Sequence, residues 1–286
     1  NLEQTGNIPE FFSDRDEDWQ RLANDFGEAA EYAGVEYVVS HAPCLHNPVI
    51  EALEDRQNET YRANVRAIRR SIEICHILGI DRIVVHACAN DKLTKEEFYR
   101  YNKMFYREFF DLMEKYNITV MTENWDNNIT HFSTGKEIRD FIDFLDHPLI
   151  GACWDTAHGN IDRVARGIGQ YQNILEIGDR LKGMHISDNF GDGPHHHTWP
   201  FAGIINFDSV MQGLLDVGYT GPFTFEASYT LLHAKNLPYR RQPWEHRGET
   251  VSKLLNPPLA LKKQAMDLLY ETGKYILEIT NRFGRI

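Results

Sequence analysis

Two spacings of apolar residues take turns along the chain. Short runs rich in Val, Ile and Leu alternate with longer stretches whose apolar residues recur every third or fourth position. Residues 18–33 predict a helix, with Trp19, Leu22, Phe26, Ala29 and Ala30 on one face and Gly34 as its stop. Residues 35–40 predict a strand that delivers His41. Residues 59–78 predict a long helix with Val65, Ile68, Ile72 and Cys75 at helical spacing, and residues 80–85 a strand ending in His86. The unit then repeats. A helix over 95–116 precedes a strand over 118–122 ending in Glu123, and a helix over 136–145 precedes a strand over 149–154 ending in Asp155. A helix-like stretch over 161–177 leads to a strand over 181–186 that carries His185. A helix over 207–217 leads to a strand over 222–225 ending in Glu226. A long connection, 227–256, precedes a last helix over 257–283, whose Pro257 and Pro258 suit its first turn.

Strict strand–helix alternation means parallel strands joined by right-handed crossovers. The six strands are nearly all apolar, as strands covered on both faces are. The expected fold is α/β, a (β/α)8 TIM barrel. Six strands are two short of that barrel, so the first two strands are expected to lie before Asn1. Residues 1–286 then read as a single, amino-terminally incomplete barrel domain. An open doubly wound sheet is the alternative. It is weakened because no GxGxxG or Walker-type glycine fingerprint stands at any strand end.

Composition narrows the partners. A formal net charge of −12 argues against a surface built to neutralise nucleic-acid phosphates. No apolar run is long enough to span a bilayer, no signal-peptide pattern opens the chain, and the first residue is not Met. Cys44, Cys75, Cys88 and Cys153 are scattered in apolar surroundings without CxxC spacing, which reads as reduced thiols and a cytoplasmic protein. The expected partner is a small molecule, not a membrane.

The chemistry gathers where the strands end. His41, His86, Glu123, Asp155, His185 and Glu226 can each bind a metal or move a proton, and in a barrel such positions face one side. Glu123, Asp155, His185 and Glu226 come from four consecutive strands. Three carboxylates and one imidazole suit one divalent cation, Mn²⁺ or Mg²⁺ best, with Co²⁺ or Zn²⁺ as alternatives. Such an ion can acidify a C–H beside a carbonyl and stabilise the enediolate. Each residue also has a plain structural reading: a helix cap for Asp155, a core histidine for His185, rim ion pairs for Glu123 and Glu226. His41 and His86 read as substrate-orienting groups. His158, three residues after Asp155, reads as a substrate contact or as support for a ligand. The stretch 188–197 adds Asp188, Asp192, His195, His196 and His197. In the connection after Glu226, His233, Arg240, Arg241, Trp244 and His246 are placed either to close over substrate or to pack on a neighbouring subunit.

These pieces resemble the xylose isomerase-like barrels, which include sugar phosphate isomerases and epimerases and the endonuclease IV type of repair enzyme. The motifs are SHAP at 40–43, VVHA at 84–87, TEN at 122–124, DTAH at 155–158, HISD at 185–188, and FE at 225–226. The resemblance implies a divalent metal on Glu123, Asp155, His185 and Glu226, with Glu123 and Glu226 as the acid–base pair. It places Asn124, His158 and His197 at the substrate, with Asp188 as a substrate contact or a support behind it. It implies an isomerase or epimerase acting on a sugar or sugar phosphate. A lyase of the inosose dehydratase or 3-keto C-glycoside-cleaving kind is the alternative, and an endonuclease IV-like hydrolase a minor one. A homo-oligomer or a partner subunit is also implied. The chain departs from the ketose 3-epimerases, which carry a Glu near position 129 and an Arg near 189–191; this points away from a free ketose. It also carries Phe201 where the family's Gly-x-Gly passage has its first glycine, so a different loop shape is expected.

Overall fold

The computed structural model describes residues 15–43, 53–88, 92–125, 131–191, 197–227, 244–251 and 257–283. Contacts divide it into two compact units, residues 1–153 with 180–183, and residues 154–179 with 184–286. The boundary cuts through two strands of one parallel sheet.

In the first unit, α1 (Asp16–Ala33) buries Trp19, Ala23 and Ala30 and ends at Gly34. Its Trp19 and Ala23 pack with Ile74 of α2 (Glu59–Ile77), flanked by Leu22, Phe26 and Leu78. Strand β1 is Ser40–His41 and β2 is Arg82–Val84. The expected strand over 35–40 is thus displaced. Only Ser40 and His41 find ladder partners, Ile83 and Val84, while Val35 and Val38 are exposed. Val39 still packs against the buried cluster of Val84, Met121 and Cys153, so part of the run meets the core without joining the ladder.

The expected helix over 95–116 is two helices, α3 (Lys95–Tyr106) and α4 (Phe110–Tyr116). Tight turns break it, with Glu108 N–H donating to the Phe105 carbonyl and Phe109 N–H to that of Tyr106, both at 3.0 Å. The break turns Phe109 fully inward, edge-on to Phe105 and Tyr106. Arg69 donates to the Glu108 carbonyl at the break and forms a bidentate pair with Asp111. Aromatic burial and a guanidinium outweigh the continuous helical pattern that periodicity alone suggests. Strand β3 is Thr119–Glu123, and α5 (Gly135–Leu145) starts with a Thr134–Glu137 capping box.

Strand β4 is Ile150–Asp155, and β5 is Leu181–Ile186. In the second unit, α6 (Thr156–Arg166) and α7 (Gln170–Ile177) replace the single helix expected over 161–177. The first starts directly on Asp155. It ends at Gly167, whose φ of 79° a residue with a Cβ rarely adopts. Buried Trp154 donates its indole N–H to Gln170 Oε1 at 2.8 Å, and Gln170 donates to the Thr156 carbonyl at 2.7 Å, tying α7 to the start of α6. Helix α8 is Phe207–Asp216 and strand β6 is Phe223–Phe225. The connection over 227–256 contains an antiparallel hairpin that the apolar pattern does not announce, β7 (Trp244–His246) and β8 (Glu249–Val251). The last helix, α9 (Leu259–Phe283), turns Ala265, Leu269 and Ile276 inward.

Backbone pairing orders the main sheet β1-β2-β3-β4-β5-β6, and every pairing with a resolved register is parallel. Each strand lies beside its successor. A doubly wound sheet would reverse its order at a switch point, so that alternative is set aside. Among the described residues, no helix is long and apolar enough to cross a membrane. Cys75, Cys88 and Cys153 are buried, and burial pushes the Cys75 thiol up to about 12.

Because Phe109 is buried at the α3–α4 break, Phe109→Ala is expected to cost about 3–5 kcal/mol. Urea unfolding measures this; a loss below about 1 kcal/mol would mean that the ring does not hold the break.

Candidate metal-binding and active-site residues

In the first unit, the ends of β1, β2 and β3 bring three predicted residues together. Glu123, the last residue of β3, is buried, and its Oε2 lies 3.4 Å from His41 Nε2 and 3.5 Å from His86 Nε2. His41 Nδ1 sits 2.7 Å from the Ala42 carbonyl, which can only accept, so Nδ1 carries the hydrogen and Nε2 is the nitrogen turned to Glu123. The His86 ring packs between His41, at 4.9 Å, and Trp125, at 4.8 Å. Asn124 follows, fully buried.

Two residues missed in the sequence hold these strand ends in place. The Tyr106 hydroxyl donates to the Val85 carbonyl at 2.7 Å and shares a hydrogen bond with Thr122 Oγ1 at 3.0 Å. Asn102 accepts from Cys88 N–H at 2.7 Å and donates to the Cys88 carbonyl at 2.9 Å, taking the part of a neighbouring strand. Both lie on the buried face of α3, where an Asn or a Tyr looks like any other core position.

In the second unit, Asp155 does two jobs. Oδ1 accepts from His158 N–H at 2.7 Å and caps α6, while Oδ2 lies 3.6 Å from His197 Nδ1. The capping role is therefore real but uses one oxygen. His197 Nδ1 is also 3.2 Å from Ser187 Oγ, and its ring stands edge-on to His158 at 5.2 Å. His185 Nδ1, on β5, lies 2.7 Å from Oε2 of Glu226, the residue directly after the neighbouring β6.

Asp188 anchors the loop that carries this face. Oδ1 accepts from Asn189 N–H at 2.8 Å and Ile205 N–H at 3.0 Å, and Oδ2 from Gly203 N–H at 2.9 Å. Burial raises its pKa above the ordinary carboxylate range, while these amides and that of Phe201 pull it down. Paired backbone bonds between Asp188 and Thr198 close the loop next to His197. Phe201, where the resemblance expects a glycine, adopts a backbone conformation that glycine favours. Its φ is +71°, the left-handed region in which glycine is favoured, so the backbone keeps a glycine-like turn despite the side chain. Its ring lies edge-on to Phe207 and Tyr275, at 5.4 and 6.3 Å, which offsets part of a cost of about 1–2 kcal/mol. Gly203 is indispensable in a different way. A Cβ there would stand 2.3 Å from both the Asn189 carbonyl oxygen and Asp188 Oδ1.

Asp192, His195, His196, His233, Arg240 and Arg241 lie outside the described residues, as do Cys44 and position 129. Trp244 and His246 fall in the β7–β8 hairpin.

The profile of the xylose isomerase-like TIM barrel matches residues 4–247. The chain belongs to that family. Among its relatives is an inosose isomerase of Bacillus velezensis, 21% identical over 77% of this chain and 74% of that protein. An L-ribulose 3-epimerase from a Methylomonas species is 32% identical over 39% of this chain, a match that spans only 35% of the epimerase. Of the solved structures, a D-psicose 3-epimerase of Clostridium cellulolyticum with D-tagatose superposes with a TM-score of 0.68. It is 16% identical, covering 94% of this chain and 86% of that one. At that identity the likeness is one of fold.

Gly203→Ala tests the loop. The added Cβ meets backbone and carboxylate, neither of which can move far, so a loss of at least about 2 kcal/mol is expected in thermal unfolding. A melting temperature equal to that of the parent would contradict the close approach.

Proposed function

We propose that this protein is a divalent-metal-dependent isomerase or epimerase of a sugar or sugar phosphate, working by proton abstraction beside a carbonyl. The observation that carries the reading is the company each glutamate keeps. Glu123 is buried beside two imidazoles, and Glu226, half-buried, lies beside a third, at the ends of parallel strands. The curated relatives, an inosose isomerase and a ribulose epimerase, support the same class of reaction.

Glu123, Asp155, His185 and Glu226 are the residues that would hold the cation, and their chemistry fits it. Three carboxylates and one imidazole form a hard, oxygen-rich donor set, for which Mn²⁺ is the proposed ion. Asp155 caps its helix through Oδ1, so binding through Oδ2 would not require the cap to break. The cation, when bound, supplies Lewis acidity that lowers the pKa of the C–H next to the substrate carbonyl.

The chain's own groups do the rest. One of Glu123 and Glu226 removes the proton from that carbon, giving an enediolate. The other delivers a proton to the opposite face for epimerisation, or to the neighbouring carbon for isomerisation. His41 and His86, set against Glu123, hold substrate oxygens and keep its carboxylate oriented. Asn124, His158 and His197 are the remaining substrate contacts. Asp188 acts through the loop: its carboxylate is occupied by backbone amides, so it positions His197 instead of reaching substrate.

Solvent deuterium exchange, screened with keto sugars, inososes and 3-keto glycosides, tests the reading. Exchange at the carbon beside the carbonyl without loss of a group is expected. Exchange accompanied by elimination would make the protein a lyase of the same substrate class. No exchange with any of them would sink enolisation. Glu123→Gln and Glu226→Gln are each expected to lower turnover by at least about 10³-fold with the far-UV spectrum unchanged. Retained activity in both would remove the glutamates from acid–base work.

A further inference from the structure

Within the first unit, a cleft of about 360 Å³ opens on the helix layer, lined by Arg56, Arg62, Arg66, Tyr61, Val65 and Glu108. None of these residues lies on a strand or directly after one; they belong to α2, the segment before it, and the α3–α4 break. Three guanidinium groups and one carboxylate therefore line the cleft in a chain whose net charge is −12, with Glu59 as a second carboxylate near Arg62 and Arg66.

The pairing inside the cleft is uneven. Glu108 is already engaged by Arg56 and by the Tyr61 hydroxyl, the latter at 3.1 Å. Arg62 bonds the side-chain oxygen of Gln57, which carries no charge, and is attracted only weakly to Glu59. Arg66 pairs at 2.7 Å with Glu59, but both side chains are largely exposed, and such a pair contributes at most about 1 kcal/mol. Arg62 and Arg66 stand one helical turn apart and so share a side of α2. Two neighbouring guanidinium groups with weak or neutral partners are suited to bidentate contact with an oxyanion. A phosphate alone would leave most of the volume empty. Val65 and the Tyr61 ring supply an apolar wall for a compact organic body.

We propose that this cleft binds a small phosphate monoester, its phosphoryl group held by Arg62 and Arg66 and its carbon skeleton against Tyr61 and Val65. The site is separate from the strand-end residues, and it does not depend on the reaction proposed for them.

The test is calorimetric titration of the full chain with glucose 6-phosphate, inorganic phosphate and glucose, at low salt. EDTA is present throughout, so that no cation at the strand ends contributes. Glucose 6-phosphate is expected to bind, phosphate more weakly, and glucose not at all. Arg62→Gln combined with Arg66→Gln should weaken glucose 6-phosphate by at least about tenfold, with the unfolding curve unchanged. Should the double variant not fold, Val65→Glu, which places a negative charge in the cleft, is expected to abolish binding as well. Three results would overturn the proposal: no binding by the parent at millimolar ligand, undiminished binding by a folded variant, or phosphate binding as tightly as its sugar ester.

Discussion

Parallel pairing is the constraint from which the rest follows. Parallel neighbours cannot be joined by a tight hairpin, so each strand must be followed by a crossover, and here the crossovers are helical. Helices then cover the sheet, and its strands become apolar on both faces, as the buried β4 and most of β3 and β5 are. Such strands leave little room for polar side chains along their length. Polar chemistry is displaced to the carboxyl ends, where chain leaves the sheet. The position of Glu123 at the last residue of β3, and of Asp155 at the last residue of β4, is a consequence of that geometry.

Burying carboxylates at those ends has a cost that the surroundings must offset. The chain answers it with imidazoles and backbone amides. His41 and His86 face Glu123, His185 faces Glu226, and Asp155 accepts an amide at the start of α6. Asp188 shows the amide solution most fully, since its bonds to Asn189, Gly203 and Ile205 fold the loop that presents His197. Behind the strand ends, Tyr106 and Asn102 stitch the exits of β2 and β3 to α3. A chemistry that needs fixed positions thus rests on buried polar contacts with no freedom to drift.

Much of this was legible from residue order. The alternation of periods located five of the six strands of the main sheet to within two residues and met β1 only at Ser40, and reading the strand ends pointed to His41, His86, Glu123, Asp155 and Glu226, with His185 one residue short of the end of β5. What escaped was set by tertiary contacts. The break at residues 107–109 depends on Phe109 finding an aromatic pocket and on Arg69 reaching Glu108, neither of which a helical period records. Strand β1 shrank to Ser40–His41 because pairing requires a neighbour, and apolar pattern alone cannot supply one. Phe201 was opaque for another reason. Residue type gave no sign that a phenylalanine would stand at φ +71°, beside a carboxylate that gathers backbone amides. Tyr106 and Asn102 were invisible because their bonds go to backbone carbonyls and amides that have no sequence signature.

The central claim is that Glu123, Asp155, His185 and Glu226 act as one metal-binding set. Elemental analysis of the purified protein after gel filtration in metal-free buffer, compared with His185→Ala, tests it most directly. The account predicts one tightly held divalent ion per chain in the parent, and loss of that ion in a variant whose unfolding curve is otherwise preserved. A parent that retains no ion after reconstitution with Mn²⁺, or a folded His185→Ala protein that binds as much as the parent, would contradict it.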